Sequence, residues 1–175
     1  MTQRVELATV MDRLDIDDLI TGYAVAVDDG DWDGYRALFA PDGRADYRAA
    51  GGVEGPAAEI AGWLAGTMRL FPVRQHLIVN RRLRFQDLGG YPGDRAELQA
   101  DYLNPMLLRS GPTGTGAGTG TDAPGSGATA GPAAPDFVSG GRYVFTLVRT
   151  EEGWRLRGVV VREKWRRVPG ARDGI

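Results

Sequence analysis

Apolar residues recur at helical spacing through Ile16, Leu19, Ile20, Tyr23, Ala24 and Val27, which predicts an N-terminal helix with one buried face. Asp15 can cap its free amides, with Asp18 three residues on in a capping-box-like spacing, so the helix is expected to begin near Asp15. Val5, Leu7, Val10, Met11 and Leu14 before it add a further helical turn or an arm. Gly30 suits the helix terminus, and Asp31 can cap a second short helix through Trp32, Tyr35, Leu38 and Phe39. Pro41-Asp42-Gly43 predicts a turn, Arg44 to Arg48 a short strand, and Gly51-Gly52 its end. Gly55-Pro56 opens a third helix, with Ile60, Trp63, Leu64, Met68 and Leu70 on its apolar side and a stop near Phe71-Pro72.

From Val73 onward the period changes to two. A strand is expected from Val73 to Gln86, a Gly-rich connection through 89–94, and a second strand from Arg95 to Leu108. On that strand Ala96, Leu98, Ala100 and Tyr102 share one face, while Arg95, Glu97, Gln99 and Asp101 share the other. Arg142 to Thr150 and Trp154 to Trp165 predict a hairpin across Glu151-Glu152-Gly153. Three helices followed by long antiparallel strands make an α+β pattern, with helices on one side of a curved sheet. The segment 110–136 is almost pure Gly, Thr, Ala, Pro and Ser, with too little apolar surface to offset its ordering entropy. It reads as a flexible insertion within a single domain spanning 1–175.

Composition narrows the function classes. With 42% apolar and 25% charged residues the chain is ordinary for a water-soluble protein. A formal net charge of −2 lacks the basic stripe that nucleic acid requires. There is no cysteine, which removes disulfides, thiolate metal sites and cysteine nucleophiles. No apolar run is long enough to span a bilayer, and the charged first twenty residues do not read as a signal peptide, so a cytoplasmic location is the default expectation.

Candidate chemistry centres on His76, the only histidine. A lone strand histidine is more often structural, and becomes a catalyst only when neighbours place and tune it. Those neighbours are offered in order: Tyr23 and Asp28, Gly30-Asp31-Trp32-Asp33, Leu38-Phe39-Ala40-Pro41-Asp42, Asp46-Tyr47-Arg48, Gln75-His76, Gly141-Arg142-Tyr143 and Gly153-Trp154-Arg155. This ordered set resembles the SnoaL-like branch of the nuclear-transport-factor-2-like superfamily, nearest to scytalone dehydratase and the bile-acid dehydratases. The likeness spans nearly the whole chain outside the Gly-rich insertion and the last residues.

The resemblance implies a cone-shaped α+β barrel, a strongly curved antiparallel sheet wrapped around the N-terminal helices, and a homo-oligomer (dimer or trimer). It implies a carboxylate–histidine pair of Asp28 and His76, with Tyr23 and Tyr47 beside it, and looser placements of Asp101 and Arg142 on later strands. Asn80, on the strand of His76, joins these as a substrate-binding candidate. Met106 falls where the fungal enzyme has a second histidine, and Gly141 and Tyr143 fall where it has serine and asparagine, which argues against its substrate. Physically, a neutral imidazole can take a proton from carbon next to a carbonyl if its other nitrogen donates to a carboxylate. Tyrosine hydroxyls can hold the carbonyl oxygen as charge develops on it. No metal or other cofactor is needed, and one histidine with scattered aspartates is a poor metal set.

Structural readings stand beside these. Asp28 can be a helix-terminal residue of an acidic loop, Tyr23 core packing, and Tyr47 and Arg48 ordinary strand residues. Asp101 and Arg142 can belong to a solvated sheet face, and the four tryptophans to core or interface. The leading expectation is a cofactor-free dehydratase or isomerase acting on a cyclic hydrophobic hydroxy-ketone, polyketide- or steroid-like. The alternatives are a non-catalytic small-molecule-binding or oligomerisation module of the same fold.

Overall fold

The computed structural model describes residues 2–109 and 134–169. All but the last three residues of the expected insertion at 110–136 therefore lie outside the described residues. The first helix, α1 (Thr2–Asp29), begins well before Asp15. Nothing in residues 2–14 breaks a helix, so the potential cap at Asp15 is passed over and becomes an exposed position inside α1. Ile16, Ile20, Tyr23, Ala24 and Val27 are buried as the periodicity requires, while Leu7, Val10, Met11 and Leu14 stay exposed.

Gly30, at φ +72°, ends α1 in the left-handed region, and the Asp31 amide returns to the Ala26 carbonyl at 2.9 Å. Asp31 then caps α2 (Trp32–Ala37), its Oδ1 accepting from the Gly34 amide at 2.8 Å. Phe39 leaves the helix for β1 (Phe39–Asp46), so the expected turn at Pro41-Asp42-Gly43 is a bulge inside a strand. A 3₁₀ turn over Arg48–Ala50, β2 (Glu54–Pro56) and α3 (Ala57–Thr67) follow, then β3 (Val73–Arg74), β4 (Leu77–Asp87), β5 (Arg95–Leu107), β6 (Phe137–Thr150) and β7 (Gly153–Arg167).

The expected closed, strongly curved antiparallel barrel does not form. The sheet is open and mixed, in the order β2-β1-β7-β6-β5-β3, with β4 also on β5. β1 runs parallel to β7, and only its pairing with β2 and the remaining pairs are antiparallel. Closure requires the two edges to bond to each other along a sheared register. Here one edge is the three-residue β2, too short to pair along the other edge, where β3 and the eleven-residue β4 bond only to β5. The architecture remains α+β, with helices packed against the sheet and sharing one apolar core with it.

Two details of the sheet position the site. On β5 the even-numbered residues Ala96, Leu98, Ala100, Tyr102, Asn104 and Met106 are buried, which continues the expected alternation to the strand's far end. β3 and β4 keep one register against β5, with Arg74 opposite Met106 and Leu77 opposite Leu103. The ladder lapses between them, where Pro105 has no amide hydrogen to donate. Gln75 and His76 occupy that gap, and the His76 amide is left to seek another acceptor.

Candidate active site

That acceptor is Asp28. Its Oδ2 takes the His76 backbone N–H at 2.8 Å, and its Oδ1 lies 2.6 Å from His76 Nδ1. A carboxylate accepts only, so Nδ1 carries the proton and Nε2 is left with its lone pair. The described residues give Nε2 no hydrogen bond, and the ring faces a cavity. Asp28 stands in the last turn of α1, where the helix dipole disfavours a negative charge. Arg74 answers this by donating Nε and Nη2 to the Asp28 carbonyl at 3.1 and 2.6 Å, and Nη1 to the Met68 carbonyl at 3.0 Å. Burial raises the Asp28 carboxyl, but the hydrogen bonds from His76 and the Arg74 charge outweigh it and hold the group below the ordinary carboxylate value.

Beside the pair lies a chain of phenols. The Tyr47 hydroxyl is 2.5 Å from that of Tyr23 and 3.1 Å from that of Tyr35. Tyr35 is fully buried and its hydroxyl meets only Tyr47 among the described residues, so its proton must point there or be lost to hydrogen bonding. Tyr47 then donates to Tyr23, and the Tyr23 proton is left for the cavity. Burial pushes Tyr23 and Tyr47 well above the ordinary phenol value, reinforced by the neighbouring phenols, and takes Tyr35 up to about 12. All three are therefore neutral donors at any working pH.

The cavity, about 250 Å3, is walled by Val27, Trp63, Leu64, Met68, Phe71, Met106, Phe137 and Val161, and Tyr23, Tyr47, His76 and Tyr143 line it as well. Trp63 stacks on Tyr47, ring centroids 6.1 Å apart. Four of the residues expected from the sequence (His76, Asp28, Tyr23 and Tyr47) are thus brought together, and Met106 lines the same space. Asp101, Arg142 and Asn80 are not brought to it. Asp101 is an odd-numbered residue of β5 and its side chain leaves from the opposite sheet face, where it accepts from Arg142 Nε at 2.9 Å and Asn80 Nδ2 at 3.1 Å. Lys164 completes that group at 3.6 Å. A one-residue change of parity along a strand is enough to send a side chain to the other face.

Sequence reasoning gave no role at the site to Tyr35, Arg74, Asn104 and Ser139, and placed Tyr102 only on the apolar face of its strand. Asn104 was legible, since it extends the buried even-numbered face of β5 beyond Tyr102. Asn104, rather than Met106, falls opposite His76 by the shared register of β3 and β4. Tyr35 and Arg74 carry no local signal, because their roles depend on partners far along the chain.

Comparison with known proteins places this geometry in a family. The chain matches the model of the SnoaL-like domain over residues 8–160. It is 30% identical over 152 residues to the uncharacterized protein Rv2910c of Mycobacterium tuberculosis, covering 87% of this chain and 85% of that one. Among solved structures, the hexachlorocyclohexane dehydrochlorinase LinA-type3 of Novosphingobium barchaimii superimposes with a TM-score of 0.70 at 15% identity, over 97% of this chain and 98% of that one. A proposed scytalone dehydratase of Novosphingobium aromaticivorans gives a TM-score of 0.66 at 16% identity, over 99% and 100% of the two chains. These structural likenesses bear on the fold; the family match over most of the chain decides its membership. The chain belongs to the SnoaL-like family.

Proposed function

We propose that this protein is a cofactor-independent acid–base enzyme that eliminates water from, or isomerises, a small cyclic hydroxy-ketone. The observation that carries the reading is the Asp28–His76 pair, whose carboxylate holds both the ring Nδ1–H and the backbone N–H of the same histidine. This leaves Nε2 as a base aimed into an apolar cavity beside neutral phenols. Nε2 removes a proton from the carbon next to the carbonyl, and the C–H electron pair moves to the oxygen, which accepts a hydrogen bond from Tyr23. As the enolate collapses, the electron pair forms the C=C bond and expels the β-hydroxyl, which leaves as water with the proton returned by the imidazolium. Asp28 keeps the imidazole in the required tautomer and faces the positive charge that forms. Isomerisation differs only in returning the proton to another carbon.

A cavity of about 250 Å3 is small against the ~300–1,000 Å3 usual for drug-sized ligands, which favours a one- or two-ring substrate over a four-ring steroid. The names of two structural relatives, a dehydrochlorinase and a proposed dehydratase, refer to eliminations and support the same class. The test is deuterium exchange next to the carbonyl of one- and two-ring β-hydroxy-ketones in D2O, followed by NMR. Wild-type protein is expected to catalyse exchange or elimination, with a loss of about 10²–10⁴-fold in His76→Ala. No exchange, or exchange unchanged in that variant, refutes the proposal; tight binding without exchange identifies a binding module instead.

A further inference from the structure

The cavity carries two further polar groups on its β5 wall. Tyr102 and Asn104, two positions apart on β5, are 4% and 5% exposed. The Tyr102 hydroxyl and Asn104 Oδ1 have no hydrogen-bond partner among the described residues, although both residues line the cavity. Buried polar atoms are rarely left so, because the cost of removing them from water is not recovered. Ser139 lies close to Tyr102 and Tyr143 close to Asn104, but neither completes a hydrogen bond to these two atoms. Glu163 lines the same cavity, but its carboxylate oxygens turn to Arg166, accepting from Nε at 2.6 Å and Nη2 at 2.9 Å, and make no bond to Tyr102. Ser139 pairs with Asn104 across the β5–β6 ladder, and Gly141 with Tyr102. A Cβ at Gly141 would lie 2.9 Å from Tyr102 Cε1 and 2.3 Å from the Arg162 carbonyl, so only glycine leaves room for the phenol ring.

We infer that Tyr102 and Asn104 form a subsite for a hydroxyl group carried by the ligand, on the β5 wall of the cavity beside His76. A hydroxyl suits them because it both donates and accepts. A half-turn of the Asn104 amide presents either oxygen or nitrogen, and the Tyr102 hydroxyl also works in both senses. The ligand is then a one- or two-ring ketone that carries a hydroxyl besides its carbonyl, with its apolar body against Trp63, Met68 and Val161. The inference rests on the proposed function only for the ligand being a ketone.

The experiment is calorimetric titration with 1-indanone, 5-hydroxy-1-indanone and 6-hydroxy-1-indanone, which reads binding without turnover. At least one hydroxyindanone should bind wild-type protein about tenfold more tightly than 1-indanone, as one added hydrogen bond provides. That preference should fall below about threefold in Tyr102→Phe and in Asn104→Leu, and persist in His76→Ala. Because no intramolecular bond is lost, Tyr102→Phe should melt no lower than wild type when unliganded. Equal binding of the three ketones, no binding of any, or a preference that survives in both variants overturns the subsite. A lowered melting temperature of unliganded Tyr102→Phe does so too, since it reveals a partner within the protein. Failure here leaves the exchange test on His76 standing, and failure of that test leaves the hydroxyl preference measurable.

Discussion

Asp28→Asn is the most informative single change, because asparagine cannot do both things the carboxylate does. Asp28 faces two donors, the ring Nδ1–H at 2.6 Å and the His76 amide at 2.8 Å. Asparagine brings one acceptor and one donor of nearly the same shape. If its oxygen keeps the backbone amide, its NH2 meets Nδ1; the ring then carries its proton on Nε2 and ceases to be a base. A wrong tautomer of this kind costs on the order of 10⁴ in kcat. If its oxygen keeps Nδ1–H, two donors confront each other at the backbone. That forfeits a charge-assisted bond, roughly 1.5–3 kcal/mol, and the negative charge that faces the imidazolium is gone in either case. The expected loss in kcat is therefore about 10²–10⁴-fold, or about 3–5.5 kcal/mol of barrier.

Its assay is the rate of deuterium exchange in wild type and variant from pH 5 upward, with melting curves to show that both are folded. The Asp28 carboxyl titrates below the ordinary carboxylate range, so it is ionised throughout that window. Its contribution to stability is fully present above the unfolded value of about 3.9 and is lost only as pH falls through the lower folded value. The wild-type-to-variant ratio should accordingly be flat at those pH values where the imidazole is neutral in both proteins. A folded Asp28→Asn protein exchanging within threefold of wild type would refute the tautomer argument.

Two further expectations concern groups away from the reacting atoms. Tyr35→Phe removes the donor at the far end of the phenol chain and should lower kcat about 3- to 10-fold with little change in KM, the worth of one neutral hydrogen bond; unchanged kcat would mean that the chain does not orient the Tyr23 proton. Arg149 bridges the buried carboxylates Asp12 and Asp94 at 2.7 and 3.2 Å, and Asp12 also accepts from Trp154 Nε1 at 3.1 Å. Arg149→Met strands both carboxylates, at about 3 kcal/mol or more, so the melting temperature at pH 7 should fall by roughly 6–12 °C. Burial opposes the Asp94 charge, but the Gly89 and Gly90 amides and Arg149 hold its carboxyl below the ordinary value, so the stability it contributes is present above about pH 3.9 and lost below. The deficit of the variant should shrink on acidification, and a deficit independent of pH would point to packing instead.

What could be read in advance followed the range of the physics involved. Gly30, the Asp31 cap, the β5 alternation and the β6–β7 hairpin are decided within a few residues, and each forms where the pattern placed it. The start of α1 was misplaced because a good cap only permits a helix to begin; it does not compel one. Whether a sheet closes depends on its most distant strands, and the resemblance to a barrel family could not reveal that β2 is only three residues long and that β3 and β4 bond only to β5. At the site, Asp28 and His76 were recoverable from their order in the chain, whereas Asp101 needed its parity on β5 to be weighed against that order. The even positions were already assigned to the core, which by itself directs Asp101 to the opposite face.

The parallel pairing of β1 with β7 has a bearing on how the protein comes into being. β1 ends at Asp46 and its partner begins at Gly153, so more than half the chain must be synthesised before Ala45 finds Val159. Contacts this distant in sequence are paid for in loop entropy before they return any stability, and they slow folding. Until β7 emerges, the apolar faces of α1 and α3 have no complete sheet to cover, and the edge of β1 is open to other chains. The nascent protein is thus most exposed to aggregation while its own N-terminal half waits for its C-terminal strand.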